Sequence, residues 1–293
     1  MRALAIFGPN TRERELAPFR VTGADITALK NLEGSDAQRP AEAVLVLGGD
    51  GTVQRHLPFL LQRQIPLLVV PTGSANDFAR ALGLRTRQAA LRAWHKFVQG
   101  GDNIREIDVG VMQFAGASGS AAQQTIYFCC AAGIGVDAAV ARRANRLPGW
   151  LRAHGGYFLV AIPALIAFRA QSIRVVATAQ GGNSRVLSEP GILVAIANAP
   201  WYGHGMRIAP RAELNDAQLE VCFVRETGKL RLLRLFPKVY RGTHIGVPEV
   251  EYFRAEHVRI ESEPPLAVHA DGELAGYTPL EVSLLPRALR VIV

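Results

Sequence analysis

The chain has 293 residues, 49% of them hydrophobic, which is enough for a buried core and most naturally divides into two domains of ordinary size; this excludes a disordered chain. Its formal net charge of +8 suits polyanions, and the candidates are nucleic acid, anionic lipid headgroups and nucleotide phosphates. No zinc-finger, RNP-type or zipper pattern occurs, and the arginines are scattered rather than interleaved with stacking aromatics, so specific nucleic-acid binding is not expected.

The three cysteines, Cys129, Cys130 and Cys222, match neither a disulfide framework nor a zinc-ligand spacing, which fits a reducing cytoplasm. Met1-Arg2 runs straight into a short apolar segment that reads as a first strand, not as a secretory core. The longest apolar stretch, residues 157–168, is about half of what a membrane-spanning helix needs, and it contains Pro163.

In chain order, residues 3–7, 43–47 and 66–70 are predicted strands of a mainly parallel sheet. Residues 52–64 are a predicted crossover helix, with Pro58 expected to kink or end it. A helix follows over 76–82, and another over 87–99 stops at Gly100-Gly101. From about Ile107 the texture changes to short β-like runs, among them 125–130, 172–178, 191–197, 219–224 and 258–261. One helical insertion, 155–169, interrupts them, and 289–293 reads as a last strand. The division expected is therefore 1–108, an α/β domain, and 109–293, a β-rich one.

The strand at 43–47 delivers Gly48-Gly49-Asp50-Gly51-Thr52 to a helix start. Glycines let backbone N–H groups approach phosphate oxygens, and the helix N-terminus adds partial positive charge. A carboxylate repels a triphosphate, so Asp50 makes sense there chiefly as the holder of a divalent cation, directly or through water. The alternative is a tight turn capped by Asp50 or Thr52. A second polar turn, Pro71 to Arg80, follows the next strand, and two such turns at strand C-termini point to one nucleotide site. Taken singly, Ser74 or Asn76 reads equally as a helix N-cap, with Asp77 favourable to the helix dipole.

Together these two runs resemble the catalytic domain of the diacylglycerol kinase family and its bacterial lipid-kinase relatives. The resemblance continues through Asp108, the glycine-rich run 131–138, residues 198–205 and 212–221, and His269-Ala270-Asp271-Gly272-Glu273. The glycine turn alone also fits NAD kinases and phosphofructokinases; the ordered set is more specific to lipid kinases.

The resemblance implies a phosphofructokinase-like three-layer α/β domain that binds ATP, a β-sandwich domain that takes a lipid of diacylglycerol type, and phosphoryl transfer in a cleft between them. Nucleotide contacts map onto Gly48, Gly49, Asp50, Gly51, Thr52, Val53, Gln54, Ser74, Asn76 and Thr22. Asp50, Asp77 and Asp108 map onto a water-mediated magnesium network. Glu273 maps onto the general base, and Asp271, on the same face if both lie on a strand, would raise its pKa; the alternative for Asp271-Gly272 is a polar turn. Glu213, Asp216 and Gln218 map onto a structural magnesium loop. The family's Asp-Gly is Asp216-Ala217 here, and its first loop, Asn-Pro-x-x-Gly, is Gly8-Pro9-Asn10-Thr11.

Arg231, Arg234, Lys238 and Arg241 share one helical face beside Leu232, Leu235 and Val239, a basic strip suited to anionic headgroups, although Pro237 argues against one straight helix. Residues 162–168 line an acyl tunnel or form ordinary core. His204 and His244 read as surface or hydrogen-bonded residues. The expected setting is cytoplasmic, peripheral to the inner face of the membrane, with a homodimer allowed. Two other activities are compatible with the sequence: a catalytically weak lipid- or nucleotide-binding regulator, and a soluble-substrate kinase such as an NAD kinase.

Overall fold

The computed structural model describes residues 1–9, 11–20, 23–32, 40–114, 124–144 and 156–293. They form two compact units, Met1–Asp108 with Pro286–Val293, and Val109–Leu285. The last eight residues, read from sequence as part of the second domain, thus return to the first.

The first unit contains β1 (Arg2–Phe7), a single turn α1 (Ala17–Arg20), β2 (Asp25–Leu29), β3 (Ala43–Gly48), α2 (Asp50–Arg63), β4 (Leu67–Pro71), α3 (Asp77–Ala81) and α4 (Arg87–Val98). Its strands pair in parallel in the order β2-β1-β3-β4, with Ala3 opposite Ala43 and Val44 opposite Leu67. Residues 3–6, 43–47 and 67–70 are almost fully buried, as expected of parallel strands with both faces covered. The helix α2 runs through Pro58 to Arg63, so the early end expected there does not occur. Pro58 lies on the exposed side, while Val53, His56, Leu57 and Leu60 form the buried stripe that holds the helix to the sheet. Thr86 caps α4 by accepting from the Ala89 amide (3.1 Å), and Trp94 Nε1 donates to the Phe19 carbonyl (3.0 Å).

Two strands are shared by the units, β5 (Ile104–Phe114) and, at the far end of the chain, β15 (Leu280–Ile292). Between them the second unit holds β6 (Gln124–Phe128), β7 (Ala131–Gly135), α5 (Val136–Ala144), α6 (Gly156–Ala167), β8 (Gln171–Thr178), β9 (Ser184–Ala197), β10 (Leu219–Arg225), α7 (Lys229–Arg241), β11 (Val250–Ala255), β12 (His257–Glu263), β13 (Ala267–Ala270) and β14 (Glu273–Tyr277). Pairing is antiparallel in the order β14-β13-β7-β9-β8-β12-β15, and β10 lies between β9 and β11. One core, including Phe128, Val194, Phe223 and Val258, packs among the strands. A second packs α5, α6 and α7 over β9 and β10 through Val140, Leu165, Leu232 and Leu235. The helix α7 continues through Pro237, the residue that argued against one straight helix. The three cysteines are buried free thiols, and desolvation pushes Cys222 up to about 12. Among the described residues no helix is long and apolar enough to cross a membrane.

Of the two readings of His244, which follows α7, the hydrogen-bonded one holds, since the residue is buried. Its Nε2 donates to the Ile208 carbonyl (3.1 Å), and burial pushes its pKa below the ordinary histidine value. Below about pH 6.5 the unfolded chain takes up a proton that the folded ring refuses, so this contribution to stability is present above that pH and lost as pH falls through it. Thermal melts from pH 8 to pH 5 should show acid destabilisation with a slope of up to ~1.4 kcal/mol per pH unit from this group. His244→Gln, which keeps a donor toward Ile208, should remove that component; an unchanged pH profile would refute the assignment.

Candidate functional site

The first-unit site begins where β3 ends. Gly49 is the N-cap of α2, with extended backbone and no side chain to satisfy the helix amides. The Thr52 and Val53 amides turn back to the Gly49 carbonyl (2.9 and 3.2 Å), leaving the Gly51 amide without an intrahelical acceptor at the positive end of the helix. A Cβ on Gly48 would fall 2.7 Å from Thr52 Cβ, and one on Gly73 would fall 2.5 Å from Gly49 Cα. The turns after β3 and β4 therefore touch backbone to backbone, which only glycine permits.

Asn76 closes the second turn. Its side chain accepts from the Gly73 amide (2.9 Å) and donates to the Gly73 carbonyl (2.7 Å), while its own backbone is left-handed at φ 55°. The carboxylate of Asp50 then reaches across. Oδ2 accepts from the Asp77 amide (3.0 Å) and Oδ1 from the Phe78 amide (2.9 Å), so the aspartate of the first turn caps the helix after the second. The residue keeps some surface, but its carboxyl group is turned inward. Burial pushes its pKa above the ordinary carboxylate value, opposed by the two amides and by Arg80. Asp77 is buried and holds Arg80 Nη1 (2.9 Å), which keeps that cation beside the pair.

Asp108 is buried at the other end of the unit's chain path and accepts from the Arg287 amide (2.8 Å), where the backbone is left-handed at φ 50°. Of the remaining sequence-predicted nucleotide contacts, Ser74 is exposed, Gln54 is half-buried, and Thr52 is packed beneath Gly48. Val53 belongs to the buried stripe of α2, so its side chain is core rather than contact surface. Thr22 lies outside the described residues.

In the second unit, Asp271 and Glu273 do not share a strand face. Asp271 sits in the turn between β13 and β14 at φ 46°, and only Glu273 belongs to β14. The Asp271 carboxylate accepts from the amides of Cys129 (2.7 Å), Cys130 (2.9 Å) and Ala131 (3.0 Å). Asn198, fully buried, donates to the Cys129 carbonyl (3.0 Å) of the same segment. The Glu273 side chain is exposed and has no hydrogen-bond or ion-pair partner among the described residues.

Sequence reasoning missed a buried pair behind this turn. His269 Nε2 lies 2.9 Å from Asp137 Oδ2, and the Tyr202 ring stacks parallel to the imidazole with centroids 6.5 Å apart. A Cβ on Gly133 would fall 2.2 Å from Asp137 Oδ2, so the glycine makes the room. The signal was present in Gly133-Ile134-Gly135-Val136-Asp137, where a charged residue follows glycines on a fully buried strand. Asp137 also borders an apolar cavity beneath α5, α6 and α7, with roughly 540 Å³ of empty space, part of it open to solvent. Val140, Leu165, Ile208, Leu235 and Val239 line it, and Asp137 is the only charged residue among its described walls.

No group of three His, Cys, Asp or Glu side chains among the described residues is placed to hold a metal ion directly. Of the three aspartates expected to hold magnesium through water, Asp50 accepts from two backbone amides, Asp77 faces Arg80 Nη1 and Asp108 accepts from the Arg287 amide. In the loop of Glu213, Asp216 and Gln218 the Asp216 carboxylate is already engaged. Asp216 Oδ1 accepts from the Gln218 amide (3.0 Å), and its Oδ2 lies 3.8 Å from Arg254 Nη2, a cation already in place.

The arrangement is that of a two-unit phosphotransferase fold: a parallel sheet presenting paired glycine turns, followed by a β-rich unit with an apolar cavity partly open to solvent. The comparisons agree with it. Residues 12–112 match the diacylglycerol kinase catalytic domain, and residues 130–293 match the YegS C-terminal NAD kinase beta sandwich-like domain. The chain is 31% identical over 281 residues to a diacylglycerol kinase of Mycobacterium tuberculosis, covering 96% of this chain and 86% of that one. It is 26% identical over 261 residues to a diacylglycerol kinase of Bacillus subtilis, covering 87% and 79%. The chain belongs to the diacylglycerol kinase family. In fold it is similar to the crystal structure of a diacylglycerol kinase from Bacillus anthracis (TM-score 0.65, 19% identity, 99% and 96% covered). It is similar also to an NAD kinase from Archaeoglobus fulgidus in complex with ATP (TM-score 0.55, 12% identity, 100% and 94% covered).

Asp271→Asn loses at least one of three amide bonds and sets an NH2 group against another donor, which should cost about 2–3 kcal/mol in urea unfolding. Glu273→Gln should leave unfolding within ~0.5 kcal/mol of the parent, because nothing in the fold leans on its carboxylate. Equal losses in the two variants would contradict this division of roles.

Proposed function

We propose that this protein transfers the γ-phosphoryl group of ATP to the hydroxyl of an acyl-chain lipid of the diacylglycerol class. The observation that carries this reading is the apolar cavity of the second unit, whose aliphatic walls suit an acyl chain and would be poorly matched to a soluble acceptor such as a dinucleotide.

In this reading the amides of the turn after β3 and the positive end of α2 bind phosphate oxygens, and Ser74 and Asn76 border the same site. Asp50, Asp77 and Asp108 hold magnesium through water, and that ion, when bound, neutralises charge developing on the transferred group. Glu273 accepts the proton of the lipid hydroxyl as its oxygen bonds to the γ-phosphorus and the bond to the ADP leaving group breaks. Asp271 acts through Glu273 as a positioning residue, since its carboxylate is engaged by backbone amides.

Incubation with radiolabelled ATP, magnesium and a panel of diacylglycerol, monoacylglycerol, phosphatidylglycerol and sphingoid bases should label a lipid, with diacylglycerol preferred. Glu273→Gln should lower the rate by roughly 10²–10⁴-fold. Labelling of NAD instead of any lipid would decide for the soluble-substrate reading, and nucleotide or lipid binding with no turnover would decide for a regulator.

The outer surface of the helices over the cavity supports contact with an anionic bilayer. Arg234, Lys238 and Arg241 are exposed on α7 and form no ion pair among the described residues, and Leu230 on the same helix is 74% exposed. Arg231 is instead engaged by Glu249. On α6, Ile162 and Ile166 are also exposed. Each surface cation contributes about 1 kcal/mol at an anionic membrane. Neutralising all three to Gln should therefore weaken co-sedimentation with phosphatidylglycerol vesicles by roughly 100-fold at low salt, with no effect on phosphatidylcholine vesicles.

A further inference from the structure

The loop 211–218 before β10 is closed by a side chain from the neighbouring strand. Arg254 on β11 stands directly opposite Glu220 on β10 in the antiparallel register. Its Nε donates to Glu220 Oε1 at 2.8 Å, and Glu220 is only 2% exposed. The rest of the guanidinium extends over the loop, with Nη2 at 3.5 Å from the Arg211 carbonyl and 3.8 Å from Asp216 Oδ2. Glu213 and Asp216 both add to the field that holds the guanidinium proton, after the larger effect of Glu220. Tyr252, two residues earlier on β11, accepts from the Arg211 amide through its hydroxyl (3.4 Å). Asp216 and the Arg211 carbonyl thus meet a single permanent cation, to whose field Glu213 adds.

The local backbone is consistent with this closure. Asp216 Oδ1 receives the Gln218 amide, and the intervening Ala217 is left-handed at φ 56°, a conformation that costs alanine roughly 1 kcal/mol more than glycine. A divalent ion on Asp216 would lie within a few ångströms of the guanidinium. Like charges about 4 Å apart repel by several kcal/mol near a protein surface.

We infer that Arg254 is the resident cation of the 211–218 loop in this chain, and that the second unit keeps its fold with no divalent ion there. The guanidinium supplies the positive charge, and its planar fork supplies direction.

Thermal unfolding of the full chain without nucleotide tests this. The parent should melt at the same temperature, within about 1 °C, in excess EDTA and in millimolar magnesium, and Asp216→Asn should not change that insensitivity. Arg254→Gln should lower the midpoint by roughly 5–10 °C by stranding the buried Glu220, and Arg254→Lys should recover only part of the loss. The inference is overturned if magnesium raises the parent midpoint by several degrees and Asp216→Asn abolishes the rise, or if Arg254→Gln melts like the parent. Should Arg254→Gln fail to fold, the magnesium response of the parent and of Asp216→Asn still decides.

Discussion

The paired glycine turns of the first unit depend on two backbones approaching more closely than any side chain would allow. The missing Cβ of Gly73 would lie 2.5 Å from Gly49 Cα. That approach brings the start of α2 beside the start of α3, and it lets the carboxylate of Asp50 cross to the amides of Asp77 and Phe78. The helix α3 has five residues and contributes little stability of its own. Its N-terminus is fixed by an aspartate 27 positions earlier in the chain. A larger residue at either glycine would separate the turns and uncouple the cap, so the glycines and Asp50 form one device rather than a loop with a decorating acid.

Much of this unit was legible because its strands are continuous apolar runs bounded by glycine and proline. The observed strands Arg2–Phe7, Ala43–Gly48 and Leu67–Pro71 lie within a residue of the predicted ones. The strand Asp25–Leu29 was not drawn, since it ends the sheet order and its mixed, half-buried side chains carry no clear period. In the second unit Val136–Ala144 was hidden behind a glycine-rich strand, and Pro237 argued against the continuous helix that packing of Leu232 and Leu235 sustains. The glycine turns were readable as motifs. Their cross-bracing was not, because a sequence shows that Asp50 is acidic but not which amides it reaches.

The same limit explains why the sequence left Asp271 between a strand face and a turn, of which the turn is observed. Strand periodicity placed it beside Glu273, whereas its hydrogen-bond partners lie 140 to 142 positions away and appear only when β13 pairs with β7. That pairing sets the β13–β14 turn against the Cys129–Ala131 backbone, whose amides need acceptors because the segment is buried. Asn198 serves the same segment from β9's end, and the Asp137–His269 pair fills the space left by Gly133. The polar interior of this unit is therefore organised around one short backbone stretch, and the run ending in Glu273 is anchored to it.

The two units solve a similar problem in the same way. In each, an aspartate places its oxygens on consecutive backbone amides and so fixes a turn beside a residue of the proposed site. Asp50 fixes the turn carrying Ser74 and Asn76, and Asp271 fixes the start of β14 carrying Glu273. A carboxylate committed in this way is poorly suited to accept a substrate proton, because protonating it would release the amides it holds. Glu273, exposed and with no partner to release, can accept a proton without disturbing the fold. Holding backbone and moving protons make opposite demands on a carboxylate, and under the proposed reaction they fall to different residues two positions apart.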